Sequence, residues 1–204
     1  MIYNIYLNII VKVLILKSYT LIGPIGSGKT EAQKIFQQLN IKCFCADSIV
    51  RNLYEDEKII SKISNIIPCS ISNGKIDISK MREIIFTNEK KMELIENYIQ
   101  PKVFLEFENI KKKYFSENII IFVIPIIKNN KFIKKNNTIY INSNKKIRLK
   151  RLKKRKNYNE KIIKNIMNYQ ESINQYSKNC LYFIENNGTK LQLKNSVQKI
   201  LENI

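Results

Sequence analysis

The run Gly23-Pro24-Ile25-Gly26-Ser27-Gly28-Lys29-Thr30 constrains this chain more than any other feature, because it spells G-x-x-x-x-G-K-[ST]. Three of the five glycines in the 204 residues lie in it. Glycine lets a backbone curl without Cβ clashes, so that successive N–H groups can face one anion. The residues before it, Ser18 to Ile22, are β-branched and aromatic and read as a short buried strand. Those after it, Thr30 to Leu39, place Ala32, Ile35, Phe36 and Leu39 in a helical stripe. A strand, this loop and a helix in that order aim backbone amides and the positive end of the helix at phosphate. Gly26, Ser27, Gly28 and the Glu31 amide are therefore expected to contact phosphate. Lys29 is expected to reach the β- and γ-phosphates, and Thr30 to place its hydroxyl on Mg²⁺. The motif points to ATP but does not choose a second substrate.

The rest of the chain alternates in the same way. Ile41 to Cys45 reads as a second strand, with Ser48 opening a helix behind Ala46-Asp47. The middle reads as an all-helical insert, about 52–115, with a turn at Asn73-Gly74. Asp77 is expected to cap a helix bearing Met81, Ile84 and Ile85. A longer helix from Glu89 to about Tyr114 is expected to be kinked or divided by Pro101. Asn118 to Ile124 is the clearest buried strand, and Thr138 to Asn142 and Leu181 to Ile184 are two more. Lys145 to Tyr176 reads as two basic helices broken near Asn157, and the turn Asn186-Asn187-Gly188 leads into a last helix. Strands interleaved with helices predict an α/β fold whose parallel sheet is covered on both faces.

Charge and cysteine restrict the remaining classes. Thirty-six Lys and Arg against seventeen Asp and Glu give a formal charge of +19. A basic balance of this size raises nucleic acid as a partner. Yet the lysines are spread rather than clustered, beside abundant Ile and Asn and no His or Trp, as A/T-rich codons would give. Compositional drift is the preferred reading, with no specific nucleic-acid surface. Cys43, Cys45, Cys69 and Cys180 have neither disulfide nor zinc spacing and are expected to be buried free thiols. Ile2 to Leu16 is apolar but interrupted by Asn4, Asn8 and Lys12, too short and polar to span a membrane. It also lacks the flanks of a signal peptide, so a cytoplasmic chain without a membrane partner is expected.

Beyond the loop, an ordered series of residues resembles the dephospho-CoA kinase family. Ile25-Gly26-Ser27-Gly28-Lys29 repeats its loop, and Cys45-Ala46-Asp47 with Arg51 is similar to its Asp-Ala-Asp followed by Arg. Gly74-Lys75-Ile76 and Met81-Arg82-Glu83-Ile84-Ile85-Phe86-Thr87-Asn88 resemble its Gly-x-Leu turn and Leu-Arg-x-x-Ile-Phe-x-Asn helix. Ile95-Glu96 to Gln100-Pro101, Val123 to Ile127, Arg151-Leu152 with Arg155, Gln170, and Ile184 to Gly188 continue the likeness in order. Departures are Gly23-Pro24 for Gly-Gly, Cys45 for Asp, Gln100 for His, Asn129 for Glu and Cys180-Leu181 for Ala-Asp.

The resemblance implies a P-loop kinase with a parallel five-stranded sheet and helical acceptor-binding and lid subdomains. It implies one domain over 15–204, with an acceptor insert at about 52–115 and a lid at about 145–176. Residues 1–14 have no counterpart; they are either a short element packed on the sheet edge or upstream codons read as protein, and the second is preferred. It further implies that ATP, with Mg²⁺, phosphorylates the ribose 3′-hydroxyl of dephospho-CoA. On that reading Lys29 and Asp47 are catalytic, Asp47 also reaching Mg²⁺ through water. Arg151 and Arg155 are lid arginines on ATP phosphates, and Asp47, Arg51 and Arg82 bind the acceptor. Rival readings stay open: Asp47 as the cap of the helix from Ser48, Arg51 in an ion pair with Glu55, and Phe86, Ile126 and Tyr98 as core rather than pocket. Another small-metabolite or nucleotide kinase, or an ATP- or nucleic-acid-binding relative without turnover, is the alternative function.

Overall fold

β1 (Lys17–Ile22) is the centre of the molecule. The computed structural model describes residues 16–126, 133–155, 158–172 and 176–204. After β1 come α1 (Lys29–Gln38), β2 (Lys42–Cys45), α2 (Ala46–Leu53) and α3 (Glu57–Ile66). A hairpin of β3 (Ile71–Ser72) and β4 (Lys75–Ile76) precedes α4 (Ile78–Ile85) and α5 (Glu89–Lys113). The chain then forms β5 (Ile119–Val123), β6 (Thr138–Asn142), α6 (Lys145–Lys153), α7 (Glu160–Ser172), β7 (Tyr182–Glu185) and α8 (Lys190–Leu201).

The main sheet is parallel throughout, in the order β2-β5-β1-β6-β7. β5 is apolar at every position because both faces of the sheet are covered. Ile22, Ile120, Phe122, Ile124 and Tyr140 pack on one face with helices of the insert, where Phe107 of α5 meets Phe122 at 4.3 Å between ring centroids. Tyr19, Leu21, Ile121, Val123, Ile139, Ile141 and Ile184 pack on the other with α1 and α8. Strand order reverses at β1: β5 lies on one side of it and β6 on the other. In such sheets the crevice opens beyond the carboxyl ends of the strands at the switch point. The loop 23–28 leaves β1 at that point.

Several expectations need correction. The insert is not all-helical, because Asn73 (φ 50°) and Gly74 (φ 73°) make a tight turn joining two short antiparallel strands. Two left-handed residues suit the twist of a hairpin, and Asn-Gly supplies them cheaply. Pro101 does not divide α5, which is assigned as one helix of 25 residues. The carbonyl left without a donor is that of exposed Asn97, which water can reach. α2 begins at Ala46, with Cys45 as its cap residue, so Asp47 lies inside the first turn and is not the cap. None of the four thiols is fully buried and Cys69 is exposed; Cys43 and Cys45 lie on β2, an edge of the sheet.

The break between the two basic helices falls at residues 154–159, as expected, although Asn157 itself is outside the described residues. Residues 1–14, Ile127 and Asn129 are outside them as well.

Candidate active site

The site is assembled at the carboxyl ends of all five strands of the main sheet. β1 delivers the loop, β2 delivers Asp47, and β5 delivers Pro125 and Ile126. β6 and β7 deliver Ser143 and Asn186, which stand behind the loop. In front lies a cleft of about 940 Å³ lined by Gly26, Gly28, Lys29, Thr30, Glu31, Asp47, Arg51, Arg82 and Arg155.

Two glycines are dictated by contact. A Cβ on Gly23 would run into the carbonyl of Ile141 on β6, and one on Gly28 into the amide of Asn186. Gly28 also has φ 109°, a left-handed conformation that a side chain would strain. Gly28 caps α1 without a side-chain hydrogen bond. No polar side chain therefore covers the N–H groups of Lys29 and Thr30, which are the groups an anion can take, whereas the Glu31 N–H donates to the Gly28 carbonyl at 3.0 Å.

Lys29 folds back on the loop, its Nζ donating to the carbonyls of Gly23 at 2.6 Å and Pro24 at 3.2 Å. Burial lowers its pKa to about 8. The charge of Asp47 works in the other direction, while the nearby Arg155 and Arg148 lower it further. Thr30 and Asp47 are exposed to the cleft. Tyr54 completes this wall: burial raises its hydroxyl to about 12, with Arg82 favouring and Asp47 opposing the ionised form. The Cys45 thiol is raised chiefly by burial and also by Asp47, and is partly offset by the N–H groups of Asp47 and Ser48 and by Lys29.

The opposite wall is α7, through Ile162, Ile163, Ile166, Tyr169 and Gln170. It is tied to each neighbour it faces. The Ile25 amide donates to Gln170 Oε1 at 2.7 Å, and the Tyr169 hydroxyl reaches the Glu96 carboxylate of α5 at 3.3 Å. Asn165 Nδ2 donates to the carbonyl of Phe86 at 3.1 Å.

A family model described as dephospho-CoA kinase matches residues 18–192. The chain belongs to the dephospho-CoA kinase family. A dephospho-CoA kinase from Fusobacterium nucleatum is 31% identical over 191 residues, 90% of this chain and 96% of that one. One from Bacillus cereus is 28% identical over 188 residues, 89% and 94% of the two chains. Among solved structures, the dephospho-CoA kinase from Campylobacter jejuni has a TM-score of 0.61 at 24% identity, covering 93% of this chain and 97% of that one. The shikimate kinase from Bacteroides thetaiotaomicron has a TM-score of 0.53 at 13% identity, with 92% and 97% covered. These likenesses agree with the fold of a parallel-sheet kinase.

Within that family frame, most residues read from the sequence gather on the cleft. Gly26, Gly28, Lys29, Thr30, Glu31, Asp47, Arg51, Arg82 and Arg155 all line it. Phe86 and Ile126 line it too, Ile126 being 1% exposed and so also core. Tyr98 does not; it packs against the core beside α3. Glu31 pairs with Lys190 at 3.0 Å, and Arg51 forms no ion pair with Glu55 among the described residues.

Arg151 departs from expectation. It is turned away from the cleft and onto the back of the loop, where Nη1 donates to the carbonyls of Gly26 at 3.4 Å and Ser27 at 3.3 Å. Its other bonds go to Ser143 Oγ at 3.3 Å and the Asn186 carbonyl at 3.0 Å. A guanidinium used this way braces the loop from behind. Ser27 is likewise fully buried, its hydroxyl without a partner among the described residues.

Sequence reasoning missed Arg148 and Glu171. Arg148 is 5% exposed, donates to the carbonyl of Ser143 at 3.1 Å, and pairs with Glu171 at 3.2 Å. Its Nη1 has no partner among the described residues. An Arg in a Lys-rich helix carries no sequence signal of burial.

Proposed function

We propose that the chain transfers the γ-phosphoryl group of ATP to the ribose 3′-hydroxyl of dephospho-CoA, giving coenzyme A and ADP. The observation that carries this reading is the cleft itself. It joins uncapped helix amides, Lys29 and Thr30 to the Asp47 carboxylate just past the end of β2, two strands from β1, in a chain of the dephospho-CoA kinase family. Phosphoryl transfer needs in-line positioning and neutralised charge more than covalent help from the protein.

On this reading Gly26, Gly28, Lys29 and Thr30 hold the donor phosphates, the Glu31 N–H reaches them only by sharing its bond to the Gly28 carbonyl, and Lys29 follows the charge that develops on them. Asp47 orients the acceptor hydroxyl and takes its proton as the new P–O bond forms. Arg51 and Arg82 hold the anionic acceptor, and Arg155 closes on the donor from the turn after α6. Ser27 serves from inside the loop.

Mg²⁺ fits the donor set. Among the described residues no cluster of three or more His, Cys, Asp or Glu exists to cage a metal. Mg²⁺ in kinase sites keeps waters and phosphate oxygens and takes only one or two protein oxygens. Thr30 and, through water, Asp47 would hold it. When bound, it neutralises charge on the phosphates. The remainder of the work falls to the side chains named above.

No helix of the described residues is long and apolar enough to cross a membrane. The basic charge is read as drift that favours anionic small molecules, without a specific nucleic acid as partner. The domain reading is a single unit over 15–204, its insert at about 52–115 taking the acceptor and 145–176 acting as the lid. A coupled assay for ADP tests the function, with product mass read in parallel. ADP should appear only when ATP and dephospho-CoA are both present, with a product one phosphate heavier than the acceptor. ADP release that ignores dephospho-CoA would refute the proposal.

A further inference from the structure

We infer that Asn186 is a positioning residue for nucleotide phosphate, acting with Arg151 through the carbonyl of Ser27. The Ser27 carbonyl accepts from Asn186 Nδ2 at 2.8 Å and from Arg151 Nη1 at 3.3 Å. Both donors lie on the side of the loop turned away from the cleft. A peptide unit is planar and trans, so its C=O and the next residue's N–H point in opposite directions. Holding the Ser27 carbonyl from behind therefore aims the Gly28 N–H forward, to the side where α1 presents its uncapped amides.

The geometry specifies Asn at this position. Asn186 is 6% exposed, and its own N–H is held by the carbonyl of Asn142 at 2.8 Å. Its carbonyl accepts from Arg151 Nη2 at 3.0 Å, so the two residues fix each other as well as the loop. The Asn186 amide nitrogen fills the space that a Cβ on Gly28 would need. Asp has the same shape but would set an anionic acceptor against a carbonyl. Gln would be one methylene too long for the gap. The left-handed Gly28 and the clamp are thus one device: the glycine permits the turn, and Asn186 with Arg151 selects its direction.

This inference rests on the loop being the phosphate site, and the experiment separates the two ideas. The β-phosphate of ADP reaches the loop, whereas AMP lacks it. Affinities of ADP and AMP are measured by calorimetry at a temperature where each protein is folded, for wild type, Asn186→Asp, Asn186→Ala, Arg151→Gln, Lys29→Ala and Thr189→Ala. Thr189 caps α8 and touches no loop atom, so Thr189→Ala should lower Tm and leave both affinities unchanged. Both Asn186 variants should weaken ADP by about tenfold or more, the value of one well-placed hydrogen bond, and shift AMP by less than about threefold. If the Asn186 variants fail to fold, Arg151→Gln reads the same carbonyl and should lose ADP affinity in the same selective way. Variants that lower Tm yet keep ADP affinity would make the clamp merely structural and overturn the inference. Equal losses for ADP and AMP would overturn it too, by placing Asn186 on the base or ribose. If Lys29→Ala binds ADP as wild type does, the phosphate-site reading fails first and the inference with it.

Discussion

The protonation of Lys29 should make nucleotide binding pH-dependent in a range where few other groups titrate. In the free protein, burial holds its pKa at about 8, against 10.5 for an unperturbed lysine. Bound phosphates supply counter-charge to Lys29, so the complex holds the proton firmly. Binding then draws up a proton wherever the free protein has lost one. The apparent Kd should grow as one plus the ratio of neutral to charged Lys29, which weakens ADP binding about tenfold between about pH 7 and about pH 9. Calorimetry in two buffers of different ionisation enthalpy should find uptake of about half a proton per ADP near pH 8. The sign for stability is opposite to that of a lysine with a strong partner. Between about pH 8 and 10.5 the unfolded chain holds the proton that the folded one has shed, so stability rises with pH across that window. Below it the cost of the buried charge is fully present. Lys29→Met should abolish both the proton uptake and the pH slope of residual binding, with Tm at pH 7 changed by only a few degrees. An affinity flat across this range, or a slope that survives in Lys29→Met, would show that Lys29 does not carry the charge the phosphates need.

Three further outcomes follow. Asp47→Asn should lower kcat about a hundredfold or more and leave ADP affinity within a few-fold, and unchanged turnover would leave Asp47 only its favourable place in the first turn of α2. Phe107→Ala should cost about 3–5 kcal/mol in urea unfolding, since Phe107 is fully buried against Phe122 where α5 meets the sheet, and a loss below about 1 kcal/mol would contradict that packing. Duplex DNA and RNA should bind weakly and without sequence preference at about physiological salt, and a selective complex that survives added salt would replace drift by recognition.

What the sequence made legible is what local chemistry encodes. β5 could be read because burial on both faces leaves it wholly apolar, and the loop because its residue types have few other uses together. Asp77 could be read as a cap, and it accepts from the amides of Ser79 and Lys80. The start of α2 was not readable, because Cys45 occupies the cap position with no side-chain hydrogen bond, leaving Asp47 and Ser48 as the nearest polar signals. β3 and β4 are two residues each, too short for an alternation, so only their Asn-Gly turn could be seen. The position of Arg151 was illegible for a different reason. Its partners lie at residues 26, 27, 143 and 186, and only the folded sheet brings those chain segments to one edge.

The same edge explains why the site is costly to the fold and well matched to a polyanion. Lys29 and Arg148 both lie at the loop, and Arg148 disfavours the charge on Lys29. Arg148 is buried with one nitrogen unpaired among the described residues, and its carboxylate partner, Glu171, is shared with Lys145 at 3.2 Å. Arg155 adds a third cation within electrostatic reach of Lys29, and Asp47 is the acidic group that offsets them there. A chain selected for stability alone would replace the half-buried Lys29 and the buried, partly paired Arg148 with apolar side chains. Retaining them makes sense where a polyanion completes the set. ADP or ATP then supplies the missing charge and raises the stability of the folded state in proportion to its occupancy. Perturbed titration concentrated beside a cleft is a mark of function in its own right. Here it falls on the lysine that the loop motif singles out, so the electrostatic and the sequence arguments meet at one atom, Lys29 Nζ.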